Sequence, residues 1–148
     1  MAKSTFVYVA YIRTTPAKLW QALTKPEFTR RYWWATWQDC KWKRGAPWRL
    51  MFSDGTVADT GKVLEIRPQR KLVLAWRHEF KPALRAEGYS RMTYEIKQEG
   101  KLVKLTVLHE MNKPNSKVIK AVSWGWPGVI SSLKSLLETG KALEQTKG

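Results

Sequence analysis

Residues 126–140 read WPGVISSLKSLLETG. Trp126, Val129, Ile130, Leu133, Leu136 and Leu137 recur at the spacing that puts them on one face of a helix. Pro127 suits an opening turn, where its missing N–H is no loss, and Gly140 suits the left-handed residue that stops a helix. The stretch therefore predicts one long C-terminal helix with an apolar stripe. The residues before it, NKPNSKVIKAVSW (112–124), read as irregular chain or a short helical turn.

Upstream, the period changes from helical to alternating. Segments near 36–43, 47–53, 56–66, 71–80, 89–98 and 101–111 alternate in polarity. Turn signals separate them: Lys43-Arg44-Gly45, Ser53-Asp54-Gly55, Pro68-Gln69-Arg70-Lys71 and Glu99-Gly100. Six strands on short turns make an antiparallel meander. TFVYVAYIR (5–13), β-branched and aromatic, adds a seventh strand. Two short helices lie between. In TTPAKLWQAL (14–23), Thr14 or Thr15 can cap, Pro16 sits in the first turn, and Leu19, Trp20 and Leu23 face inward. Thr24-Lys25-Pro26-Glu27 has capping-box spacing and opens a second helix through about Tyr32. One helix can cover seven strands only if the sheet curls around it. The elements thus predict an α+β domain spanning 1–148, with space between helix and sheet where the sheet curls away.

The bulk composition narrows the function classes. Hydrophobic residues make up 43% and aromatics 12% of the 148 residues, ample for a core, so disorder is excluded. No apolar run approaches the roughly 18 residues of a membrane span. The N-terminus alternates like a strand and has no cleavage motif, which predicts a cytoplasmic protein. Cys40 is the single cysteine, so it has no disulfide partner, and no cysteine companions suggest a metal site. The net charge of +15 is uneven: residues 1–50 carry ten Lys/Arg against Glu27 and Asp39. Such a field attracts polyanions and acidic proteins. Nucleic-acid binding is nevertheless disfavoured, because no motif of that class accompanies the charge.

IRTTPAKLWQALTKPEFTRRYW (12–33), DTGKVLEIRP (59–68), KLVLAWRHEF (71–80) and GWPGVISSLKSLLETG (125–140) resemble, in that order, the bacterial single-domain relatives of the heat-shock protein 90 ATPase activator. That family lies in the START-like (SRPBCC), helix-grip superfamily, with the birch-pollen-allergen fold. The resemblance implies a seven-stranded sheet gripping the C-terminal helix around an apolar cavity, and it suggests a role in the stress response. It does not fix an activity, since the superfamily includes lipid carriers, receptors, cyclases, hydratases and co-chaperones.

Strand alternation forecasts the cavity wall. Leu72, Leu74, Trp76, His78 and Phe80 share one face of 71–80. Met92, Tyr94 and Ile96 do so in 89–98. Val103, Leu105, Val107, His109 and Met111 do so in 101–111, and Trp48, Leu50 and Phe52 in 47–53. The apolar sets should face the long helix. Residues 30–48, RRYWWATWQDCKWKRGAPW, hold five of the nine tryptophans. Interleaved rings and cations can bind single-stranded nucleic acid, but buried aromatics dominate cores. Trp33, Trp34, Trp42 and Trp48 are therefore read as a cavity mouth with the cations outside, and Trp37 as the exposed exception. Trp126 anchors the helix entrance, and with Trp124 it can gate the cavity; Val129 and Leu133 complete the helix side.

His78 and His109 both fall on inward faces, roughly 10 Å apart from strand spacing alone. The plain reading is a polar group at the rim, satisfied by a Tyr hydroxyl, backbone or water. The sharper one is a proton donor or acceptor for a ligand. Two histidines without a third ligand fall short of a zinc site.

Three functions compete. The leading one is binding of a small hydrophobic or aromatic ligand, without a cofactor, its polar end oriented by Tyr94, His78 or His109. A co-chaperone-like module, monomer or homodimer, would meet an acidic protein partner. A cyclase- or hydratase-type enzyme would use His78 or His109 as its base.

Overall fold

A computed structural model describes residues 3–144. Its elements run β1 (Ser4–Ile12), α1 (Pro16–Thr24), α2 (Pro26–Tyr32), β2 (Trp37–Cys40), β3 (Pro47–Met51), β4 (Val57–Arg67), β5 (Lys71–His78), α3 (Pro82–Arg85), β6 (Ser90–Glu99), β7 (Leu102–Met111) and α4 (Lys117–Thr139). All strands pair antiparallel in one sheet ordered β1-β7-β6-β5-β4-β3-β2. β1 closes onto β7, so the meander and the first strand form one continuous layer. The sheet grips α4 as the α+β helix-grip reading expects.

The C-terminal half of α4 is tied to β1 and the loop after it. Glu138 Oε2 accepts from the Arg13 backbone N–H at 2.7 Å, and Lys134 Nζ donates to the Tyr11 carbonyl. Leu133 and Leu136 bury against the sheet on that half. Thr15 caps α1, its Oγ1 accepting from Lys18 N, with Pro16 in the first turn.

Four expectations need correction. First, α4 begins at Lys117, so Pro127 lies deep inside the helix and Trp126 does not stand at its entrance. Pro127 has no N–H for the Ser123 carbonyl, a local loss tolerated because both flanks are pinned. The true start is fixed from afar. Ser116 Oγ accepts from Ile119 N at 3.2 Å, and the Glu87 carboxylate accepts from Lys117 N at 2.8 Å, Val118 N at 3.1 Å and Ser116 Oγ at 2.6 Å. Second, Thr24 does not cap α2: its hydroxyl donates back to the Trp20 carbonyl, and Lys25 holds the cap position without a side-chain bond. Third, β2 stops at Cys40, and Trp42 adopts a left-handed φ of 52°. Fourth, β5 stops at His78, which leaves Phe80 on a loop before the short helix α3.

Burial pushes the Glu87 carboxyl up, but the Ser116 hydroxyl, the two backbone N–H groups and Lys113 together hold it below the usual carboxylate range. A depressed carboxyl contributes stability above its unfolded pKa and loses it as pH falls through the folded value. Glu87→Ala should therefore cost about 1–2 kcal/mol at neutral pH, as loss of a good N-terminal cap does. The difference from the unmodified chain should shrink on acidification. Urea titrations at pH 7 and pH 3 measure both.

Candidate functional site

The sheet twists away from the N-terminal half of α4 and leaves a cavity of about 540 Å³ there. Trp33 and Trp34 reach it from the end of α2, Leu50 and Phe52 from β3 and its turn, and Trp76 and His78 from β5. Phe80, Lys81 and Leu84 border it beside α3. Trp124, Trp126 and Val129 close it from α4. Phe80 is 46% and Trp124 57% exposed, so these two rings stand at the mouth.

The aromatic wall is continuous. Trp76 contacts Trp33, Trp48 and Trp126 with ring centroids 6.0, 4.6 and 5.7 Å apart. Trp34 stacks on Trp124 at 6.2 Å and its ring edge lies over Gly125 of α4. Gly61 explains the close Trp48–Trp76 approach. It pairs with both residues across the sheet, and a β-carbon on it would run into the Ala75 carbonyl, so only glycine lets β4 and β5 close up beneath the two indoles.

Eight of the anticipated residues border this cavity: Trp33, Trp34, Phe52, Trp76, His78, Phe80, Trp126 and Val129. Trp48, Met92, Tyr94, His109, Met111 and Leu133 share the inward face but are packed within the core. Trp42 is half-buried beside that core. Trp37, also half-buried, carries the Arg30 guanidinium 5.4 Å above its ring.

The two histidines differ. His109 is fully buried, and its proton positions follow from its partners. Trp126 Nε1–H donates to His109 Nδ1 at 3.1 Å. The indole is donor-only, so Nδ1 is bare and the neutral ring carries its proton on Nε2. Nε2 then donates to Ser90 Oγ at 2.7 Å, and that hydroxyl donates to the Trp76 carbonyl at 2.9 Å. The chain of bonds is complete. Burial, with a smaller contribution from His78, pushes the pKa of His109 down to about 3. His109 pins Trp126 in the cavity wall and has no nitrogen left for a ligand.

His78 is 7% exposed, and its Nδ1 is buried without a hydrogen-bond partner. Burial, then the nearby Lys81 charge, lower its pKa to about 4, so it is a neutral imidazole at pH 7. Opposite it on β4 stands Asp59, 3% exposed, with Oδ1 lacking a partner. Burial raises this carboxyl to about 8, against a lowering influence from the Trp76 indole and a raising one from Glu79. The Trp76 N–H lies beside the carboxyl but reaches no hydrogen-bond geometry. Three polar groups thus converge on an apolar chamber, each with one buried atom outside hydrogen-bond geometry: Asp59 Oδ1, Trp76 Nε1 and His78 Nδ1. Asp59 is the residue that strand reading missed. A bulge at Ala58 between the Leu50–Asp59 and Met51–Val57 pairs puts two successive residues of β4 inward. The nearest warning in the sequence is an acid close to the start of a strand-like run.

Among the described residues no group of three or more His, Cys, Asp or Glu could hold a metal ion, and no helix is long and apolar enough to cross a membrane.

The family model described as activator of Hsp90 ATPase homolog 1-like protein matches residues 13–138. Among solved structures, a crystallised protein of Mesorhizobium loti aligns with a TM-score of 0.77 at 24% identity, covering 90% of this chain and 96% of that one. The Aha1 dimer from Colwellia psychrerythraea aligns at 0.73 and 16% identity, over 94% of this chain and 99% of that one. An HSP90 activator from Plasmodium falciparum aligns at 0.72 and 19% identity, over 90% and 95%. At these identities the structural likeness speaks for the fold. No curated protein matches the sequence.

Proposed function

The chain belongs to the family of activator of Hsp90 ATPase homolog 1-like proteins, and from that premise we propose that it binds one small, flat, largely apolar molecule in the cavity beneath α4. The observation that carries this reading is the set of unpaired polar atoms on Asp59, Trp76 and His78 inside a tryptophan-walled chamber. A buried polar group without a partner costs about 1–3 kcal/mol, a cost that a bound molecule can remove. The chamber's size lies within the range of small-molecule sites, and its walls are apolar with few polar groups, as such sites require.

N-phenyl-1-naphthylamine, a neutral fluorophore, tests the reading. It should brighten on binding and raise the melting temperature by several degrees at saturating concentration. Ala121→Trp, which fills the cavity from α4, should abolish both effects. Binding that survives Ala121→Trp, or no binding at all, overturns the proposal.

A second reading is protein association, favoured by the edge strand β1. Its outward Val7, Val9 and Tyr11 are 54%, 42% and 44% exposed, an apolar row on the outer face of the strand that ends the sheet. Light scattering on the purified chain should then report a dimer that Val9→Lys dissociates. A monomer at all concentrations removes this reading.

A further inference from the structure

The ligand's charge is also legible in the cavity, provided the ligand-binding reading above holds. We propose that the occupant is a weakly hydrated organic cation, a tertiary or quaternary ammonium on a flat apolar body, with Asp59 as its counter-ion.

Asp59 is the only carboxyl bordering the cavity among the described residues, and no Lys or Arg pairs with it there. Glu79 is spent elsewhere: on the other face of β5 it binds Arg77 at 2.6 Å, Arg85 at 3.0 Å and the Thr60 hydroxyl at 2.6 Å. A carboxyl buried beside the Trp76 indole without a cation is expensive to ionise. A cation entering the chamber removes that cost. The walls suit the same guest, because indole faces are the strongest aromatic partners for ammonium groups, most of all when water is excluded. The rim already shows the interaction: the Lys81 ammonium lies 5.8 Å from the centre of the Phe80 ring.

The protein's own positive charge does not forbid such a guest. Surface cations are screened over about 8–10 Å at ordinary salt, whereas a contact with a buried carboxylate is not. The charged and titratable groups facing Asp59 are few. His78 on β5 is held neutral by burial, Lys81 is at the mouth, and Glu79 is behind the sheet. The bordering residues of α2, β3 and α4 carry no charge.

The test compares benzyltrimethylammonium with its neutral carbon isostere neopentylbenzene, titrated against tryptophan fluorescence at about pH 8.5 and 150 mM salt. The cation should bind at least about tenfold more tightly than the isostere. Asp59→Asn should abolish that preference while neopentylbenzene binds within about twofold of its original affinity, which shows that the chamber is intact. Should Asp59→Asn fail to fold, the unmodified protein decides: its preference should disappear near pH 6, where the carboxyl keeps its proton. Equal binding of the two probes at about pH 8.5 overturns this inference and leaves the cavity reading standing. A preference that persists without the Asp59 charge overturns the counter-ion assignment. Binding of neither probe defeats the cavity reading as well.

Discussion

Gly61→Ala should leave little or no folded protein. A β-carbon at Gly61 would lie 1.7 Å from the Ala75 carbonyl oxygen and 2.7 Å from its carbon. Those are backbone atoms of the neighbouring strand β5, so no rotamer change relieves the clash. The strands would have to part where Trp48 and Trp76 now meet at 4.6 Å, and that contact anchors one wall of the cavity. Separation there loses ladder bonds and aromatic packing together, an expected loss of more than about 4 kcal/mol, at the upper end for single substitutions. Gly125→Ala is the matched control. Its β-carbon would find only the Trp34 ring edge at 3.6 Å, an ordinary contact. Alanine is the better helix former, so this variant should lie within about 1 kcal/mol of the original on either side. Urea denaturation followed by tryptophan fluorescence separates the two. A Gly61→Ala chain that unfolds at the original midpoint would contradict the packing described here.

The difference between these glycines shows which information a sequence carries openly. Both look like breaks in a pattern, yet one lies in a twisted strand pressed against its neighbour's backbone and the other in a half-buried turn of helix with room for a methyl group. Alternation placed Trp48, Trp76, His78, Tyr94 and His109 on the inward face, because the period of two is a local property of the strand. It could not say where along the strands the helix closes down and where it stands off, and so Met92, Met111 and Leu133 belong to packed core although their faces were assigned correctly. The start of α4 was hidden for a different reason. Its N-terminal N–H groups are satisfied by Glu87, thirty residues before Lys117, and a capping carboxylate supplied across the fold leaves no short-range signature. Pro127 then offered a misleading local one. Asp59 escaped because a one-residue bulge resets the alternation, and nothing in VADTG (57–61) marks the bulge in advance.

The cost of Asp59 itself should be measurable in the empty protein. Its folded pKa stands near 8, against about 3.9 for an unfolded aspartate. Between those values the folded chain holds a proton that the unfolded chain has released. The stability this proton supplies is complete below about pH 4 and is lost as pH rises through 8. Asp59→Asn keeps the shape and removes the titration. The variant should therefore gain on the original by about 1.4 kcal/mol per pH unit across this window, reaching an upper bound of about 4 kcal/mol at pH 7. His78 and His109 act in the opposite direction and in both proteins. Their pKa values, lowered to about 4 and 3, withdraw stability as pH falls below about 6.5. They cancel in the comparison. Guanidinium denaturation midpoints from pH 5 to 9 should show the gap opening up to about pH 8 and levelling off above it, and saturating benzyltrimethylammonium should close most of it by pairing with the carboxylate. Parallel stability curves would mean that Asp59 ionises freely in the folded chain. A residue that weakens the empty protein but stabilises the occupied one is placed to recognise a ligand, since packing alone would favour an uncharged side chain at that position.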